Sequence, residues 1–337
     1  MTNSLPTLNT IQDLQLWKEY ILTGNVLSRE NANQLLNITA DNPLFETFLN
    51  SADVIRRHFL GNTIELCSII NAKSGRCSED CKFCAQSAHY DTPVETYALL
   101  DYAPIETMAK ENETAGVHRF SLVMSGRGIN AEELDVVLQH YQRLQKETQL
   151  SLCASLGIMT ETHLKQLADV GITMYHHNLE SGRHFYETVC STHTYDERIE
   201  TIHAAQRAGL KICSGGIIGM GETWSDRLDL IFELRTLQVA SIPINILNPI
   251  LGTPFERVPK LSQSEILKTI ALFRWVHPTA DIRLGGGRHL IDDAGKSAFL
   301  SGASATITGN YLTTVGQDMA GDQTMLAALN LPLGIRR

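Results

Sequence analysis

At 337 residues the chain exceeds the usual single-domain size, but single barrels reach this length, so one large domain with terminal extensions and a sizeable core is expected. Lys and Arg total 28 against 37 Asp and Glu, a formal charge of -9 with no basic run, which argues against nucleic acid or an anionic membrane as a partner. The opening "MTNSLPTLNTIQDLQLWKEY" lacks a basic head before an apolar core, and no apolar stretch approaches the roughly 18 residues that span a bilayer, so a soluble cytoplasmic protein is expected.

Residues 1–60 read as a helical N-terminal extension. From there, apolar runs of strand length alternate with helical patterns. The strand candidates in chain order are "TIELCSIINA", "HRFSLVMSG", "LSLCASLGI", "ITMYHHNLE", "KICSGGIIG", "SIPINILNP", "DIRLGGG" and "SATITGNYL", eight in all. Between them, "AEELDVVLQHYQRLQKE", "TETHLKQLADVG", "YDERIETIHAAQRAG", "WSDRLDLIFELRTLQ" and "QSEILKTIALFRWV" repeat apolar residues every three or four positions. Repeated strand-helix units predict a parallel sheet, and eight of them predict an α/β fold of the (β/α)8 TIM-barrel type over residues 61–312; a doubly wound open sheet is the competitor. Residues 313–337 read as a closing segment with no assigned chemistry.

Seven cysteines, an odd number, in a reducing compartment suit metal ligation or redox work better than disulfides. Three of them, Cys77, Cys81 and Cys84, lie within "GRCSEDCKFCAQ" in the loop after the first strand, spaced C-x3-C-x2-C. Structural zinc would want a fourth ligand at finger spacing, and His89 is the sole nearby candidate. Three thiolates suit a four-iron cubane with one iron open to a small molecule. The other four are scattered in sequence. Cys67, Cys153 and Cys213 fall in the first, third and fifth strands, where inward side chains from alternate strands share a layer, and Cys190 falls in the loop after the fourth. The alternative for each is core filling, because free cysteine is among the most buried residue types.

With Phe83 before its last cysteine, the cluster motif resembles that of the radical S-adenosylmethionine (SAM) superfamily. The resemblance implies a 4Fe-4S cluster on Cys77, Cys81 and Cys84 whose open iron binds SAM and whose electron cleaves it to a 5'-deoxyadenosyl radical. The segments "YHHNLE", "THTYDERIETI", "CSGGIIGMGET", "IPINILNPILGTP" and "IRLGGGR" further resemble the biotin synthase family, from about residue 55 onward. That family implies sulfur insertion into dethiobiotin, with the sulfur drawn from an auxiliary iron-sulfur cluster. It also implies a flavodoxin or ferredoxin reductant, iron-sulfur assembly machinery as a partner, and a homodimer. Carried over by segment, Asn178 and Glu180 match contacts to the SAM amino group and ribose, and Arg198 a residue near the SAM carboxylate. The stretch that holds Gly215, Ile217, Gly219 and Glu222 matches the motif against the adenine. Asn178, Asn245, His176 and Arg283 are candidates for the dethiobiotin side, His176 standing where many relatives have Asn.

One departure is larger. In the better-known form of the family a 2Fe-2S cluster is held by three cysteines and an arginine. Cys153, Cys213 and Arg283 match three of those positions, but the position on the second strand is Ser121. The expectation is a variant branch with a four-iron auxiliary cluster held largely by Cys67, Cys153, Cys190 and Cys213, or with an extra sulfide in place of one of them, and with Arg283 as a neighbouring charge. Two other readings stay open: another radical SAM barrel of the hydrogenase-maturation or methylornithine-forming type, and a non-catalytic metal-binding module.

Overall fold

The computed structural model describes residues 5–313 and 316–335; of the expected closing segment, positions 314, 315, 336 and 337 lie outside the described residues. Strands β1 (Glu65–Lys73), β2 (Arg119–Met124), β3 (Ser151–Ser155), β4 (Met174–His176), β5 (Lys211–Cys213), β6 (Gly216–Ile218), β7 (Ser241–Ile246), β8 (Asp281–Leu284) and β9 (Ala305–Ile307) form one sheet. Its order is β5-β4-β3-β2-β1-β9-β8-β7-β6, and a further β5–β7 pairing joins the ends. Every pairing within it is parallel. The sheet is therefore a closed barrel, and the open doubly wound alternative is excluded.

The sequence predicts eight strands, and β5 and β6 are the two halves of the fifth. The break has a local cause. Ser214 donates its N–H to Ser241 O at 2.9 Å, and the next rung would need an N–H from Pro243, which has none. The chains approach closely here: a Cβ on Gly215 would lie 1.9 Å from Pro243 O. Glycine is required at this point for contact rather than for its φ.

The barrel helices begin where short polar side chains cap them. Asn130, Thr160, Thr194, Thr223 and Ser262 each accept an N–H from the first turn of the helix that follows. Three helices precede the barrel: α1 (Ile11–Leu22), α2 (Arg29–Leu35) and α3 (Phe45–Leu60). Helices α2 and α3 dock on the helix Gln263–Val276, where Phe48 stacks on Trp275 with ring centroids 5.7 Å apart and Lys268 donates to Leu36 O at 2.8 Å, and α1 packs on α3. Burial and the nearby Arg227 charge lower Lys268 to about 8. No helix among the described residues is long and apolar enough to cross a membrane.

Candidate functional site

The loop after β1 is folded tightly around its three cysteines. Cys77 N–H donates to Gln86 O at 2.9 Å, Ala88 N–H to Cys77 O at 2.7 Å, and Cys84 N–H to Cys81 O at 2.9 Å. The chain enters through Gly75 at φ 74°, where a Cβ would meet Thr96 Oγ1 at 2.4 Å. Residues 190–193 brace the loop from outside. Asp80 Oδ1 accepts the N–H groups of Ser191 at 2.8 Å and Thr192 at 3.1 Å. Glu79 Oε2 accepts from the Thr192 hydroxyl at 2.8 Å.

Two cavities meet beneath this loop. The larger, about 350 Å³, is lined by Cys84 from the loop and, from within the strands, by Cys67, Cys153, Cys213, Arg119, Ser121 and Arg283. The smaller, about 150 Å³, is lined by Cys77, Cys81 and Arg198 among others. Ser155, His176, Asn178 and Glu180 line both. The barrel register explains the convergence, since residues paired in a parallel sheet face the same side. Cys67 pairs with Arg119, Ser121 with Cys153, and His176 with Cys213.

The strand thiols sit on a buried charge array that the sequence analysis missed. Glu65 Oε1 accepts from Arg119 Nε at 3.0 Å and from Arg283 Nη2 at 2.7 Å. Burial opposes ionisation of Glu65, yet the charges of Arg283 and Arg119 hold its carboxyl down at about 2. Arg119 Nη1 reaches Cys153 Sγ at 3.4 Å. The signal for both residues was strand parity: Glu65 lies two positions before Cys67, and Arg119 two before Ser121, on the inward faces. Two buried polar atoms here have no protein partner, Ser121 Oγ and Arg283 Nη1. Burial pushes the Cys67 thiol up to about 12 and raises Cys153 and Cys213 as well, so these groups are neutral until a metal or base takes their protons.

Most other predicted residues face the cavities. Thr194 caps the helix Tyr195–Arg207, reciprocally with Glu197, and the cap places Arg198 in the first turn. Arg198 Nη1 donates to Asn178 O at 2.8 Å and stands 3.7 Å from Glu180 Oε1. Glu180 is at φ 68°, an uncommon conformation for a non-glycine residue, and Ile217 N–H holds its carbonyl at 2.8 Å. Asn178 Oδ1 accepts Gly215 N–H at 3.0 Å. Asn245 Oδ1 accepts Gly286 N–H at 2.8 Å, and its Nδ2 donates to Gly216 O at 3.2 Å. One amide hydrogen and one lone pair of Asn245 stay available. His176 Nδ1 lies 3.4 Å from Cys213 Sγ, and burial lowers its pKa to about 4, against the pull of Glu180.

Four predicted residues line neither cavity: Cys190, Gly215, Gly219 and Glu222. Cys190 does not join Cys67, Cys153 and Cys213; it lies in the bracing loop, where Asp80 holds it at 3.2 Å, and it lines neither cavity. Glu222 is also turned away. Its carboxylate accepts Gly219 N–H and Met220 N–H at 2.8 Å each and pairs with Arg227 at 2.7 Å, so it staples its own turn. Of the four positions taken from the "GGIIGMGE" stretch, Ile217 alone lines a cavity. His89 is hydrogen-bonded to Ser78 O at 2.9 Å and does not complete a metal site with the loop cysteines.

Residues 72–234 match the Radical SAM superfamily and residues 243–332 the Biotin and Thiamin Synthesis associated domain. Among solved structures, a methylornithine synthase superposes with a TM-score of 0.82 at 20% identity, covering 95% of this chain and 97% of its own. An FeFe-hydrogenase maturase from Carboxydothermus hydrogenoformans superposes with 0.81 at 18%, covering 97% and 80%. At such identity these two share the fold alone. Sequence relatives are much nearer. The biotin synthase of Clostridium tetani is 52% identical over 94% of this chain and 98% of its own length. That of Heliobacterium modesticaldum is 53% identical over 92% and 95%. With near-complete coverage at half identity, and with both domains matched in order along the barrel, the chain belongs to the biotin synthase family.

Proposed function

We propose that this chain converts dethiobiotin to biotin by radical insertion of sulfur. SAM would bind at a 4Fe-4S cluster held by Cys77, Cys81 and Cys84, and an auxiliary cluster would be held by Cys67, Cys153 and Cys213. The reading rests on one observation above all: the three strand thiols and Cys84 of the loop line a single cavity. The residues present suit an iron-sulfur group. Three thiolates are soft ligands, and the orphaned Ser121 Oγ and Arg283 Nη1 lie beside them with hydrogen-bonding capacity to spare. Cys190 lies apart, so the auxiliary cluster is read as a four-iron type with three cysteines and an extra sulfide where a fourth would be.

When bound, SAM and its cluster supply the radical that takes hydrogen from unactivated carbon, and the auxiliary cluster supplies sulfur. The protein's own part is to bind, orient and exclude water. Arg198 would take the SAM carboxylate, and Glu180 and Asn178 beside it the amino group and ribose hydroxyls. Asn245 offers its remaining hydrogen and lone pair to the ureido ring, which both donates and accepts. Phe83, Ile217, Ile246 and Leu247 give the larger cavity an apolar wall. Arg198→Lys keeps the charge but loses the planar fork, and SAM affinity is expected to fall by about tenfold or more in calorimetry on the cluster-loaded enzyme. An unchanged affinity would remove Arg198 from the SAM site.

The test of the overall reading is iron and acid-labile sulfide per chain, with Mössbauer spectra, on anaerobically reconstituted wild type and on a Cys77→Ala, Cys81→Ala, Cys84→Ala variant. The variant is expected to keep a four-iron cluster with sulfide in excess of iron. A two-iron cluster in the variant would return Arg283 as a ligand, and a variant without iron would overturn the auxiliary site.

A further inference from the structure

Cys190 is buried, lines neither cavity, and is surrounded by metal-binding chemistry rather than by apolar packing alone. Its Sγ lies 3.3 Å from His193 Nδ1, 3.2 Å from Asp80 Oδ1 and 3.5 Å from Thr192 Oγ1. With Cys81 added, two thiol sulfurs and one imidazole nitrogen lie within 4.8 Å of one another, all on buried residues. Ligands on one tetrahedral ion, with sulfur at about 2.3 Å and nitrogen at about 2.0 Å, stand roughly 3.5 to 3.8 Å apart. A closure of about an ångström would therefore bring all three onto a single metal. An independent feature backs the histidine. The buried Glu79 carboxylate takes His193 Nδ1 at 2.5 Å and leaves Nε2, 4.0 Å from Cys190 Sγ, as the metal donor, the carboxylate-imidazole pairing that orients metal-bound histidines. Asp80 meanwhile holds Ser191 and Thr192 by their N–H groups, which fixes the loop that presents Cys190 and His193.

We propose that Cys81, Cys190 and His193 form a mononuclear site for a thiophilic divalent cation, ferrous iron or zinc. Binding forms two metal-sulfur bonds and one metal-nitrogen bond and releases the thiol protons to solvent; no electron moves. Given the cluster assignment above, on which this consequence rests, Cys81 cannot serve both groups at once. The single ion and the four-iron cluster exclude one another, and the site holds one metal at the loop before the cluster is built.

The test uses the full-length, metal-free chain under anaerobic conditions with one equivalent of cobalt(II) as probe. Iodoacetamide reactivity of each cysteine is mapped by peptide mass spectrometry, and cobalt-thiolate charge-transfer absorption is recorded. Cys81 and Cys190 are expected to be protected together while Cys77 and Cys84 stay reactive. His193→Ala is expected to weaken cobalt binding by at least about tenfold. Cys190→Ser, which nearly preserves the side chain's size, is expected to remove about half of the charge-transfer intensity, one of two thiolates. Ferrous iron and zinc are then titrated against the cobalt signal to decide which ion the site prefers. Protection of Cys77, Cys81 and Cys84 as a set with Cys190 left reactive, or of Cys67, Cys153 and Cys213 by the first equivalent, would overturn the proposal. After iron-sulfur reconstitution the pattern should invert, with Cys190 reactive and the loop trio protected. Failure of the cluster assignment reads differently, as Cys77 and Cys84 still reactive in the reconstituted protein.

Discussion

Cys153→Ala is expected to separate two activities that wild type performs together. Cys153 lines the larger cavity and touches Arg119, far from the loop that carries Cys77, Cys81 and Cys84 in sequence and outside the smaller cavity. The variant should still bind SAM and release 5'-deoxyadenosine within a few-fold of wild type. Biotin should fall by at least about a thousandfold, which corresponds to roughly 4 kcal/mol of barrier. Both products are measured by chromatography from one reaction mixture. Biotin formation within tenfold of wild type would show that Cys153 holds no sulfur source, and parallel loss of both products would point to a structural defect instead.

Glu65→Gln is expected to give the largest loss of stability. The carboxylate is buried between Arg119 and Arg283, and its removal leaves two guanidinium groups near one another without a counter-charge. Breaking a buried pair in this way costs about 3 to 5 kcal/mol. The pH dependence follows from the depressed carboxyl, at about 2 in the folded chain against an ordinary value of 4.5. A depressed carboxyl stabilises fully above its unfolded value and loses that contribution as pH falls through its folded one. A shift of this size is worth about 3 kcal/mol. Urea unfolding of metal-free wild type and variant should therefore differ most at neutral pH, with the gap closing between pH 4.5 and about 2. A gap that is small or independent of pH would remove these ion pairs from the stability of the barrel.

The barrel was legible because strand-length apolar runs alternated with helical periodicity, and the layering of Cys67, Cys153 and Cys213 followed from that reading alone. Alternation within a strand is a strict rule. A loop has no such period, which is why the place of Cys190 apart from the strand thiols was not legible: spacing after the fourth strand does not say that Asp80 will draw the loop toward Cys81. Glu222 was assigned from a glycine-rich stretch, and a carboxylate beside a turn can serve that turn as readily as a ligand. Arg119 and Glu65 were readable in principle. Charged residues at strand starts look like solvated ends until the opposite strand is known to bring another charge inward, and Arg283 is more than two hundred residues from Glu65, at |i−j| 218. The split at Pro243 was likewise visible as a proline in a strand pattern, a known sign of a missing rung.

The joining of β9 to β1 governs when the auxiliary pocket can first acquire metal. Cys67 pairs with Ile307 across that joint, Cys213 with Ser241 across the other, and Arg283 of the buried charge array lies on β8 between them. No contiguous fragment shorter than residues 67–283 holds Cys67, Cys153, Cys213 and Arg283 together. Contacts so distant in sequence form late, because loop-closure entropy is spent before they give any return. A nascent chain carries Cys67, Cys153 and Cys213 as separate groups until β9 has been synthesised and docked. Metal in that pocket is thus a cargo received by a finished fold, the reverse of a zinc finger, in which the ion organises the chain.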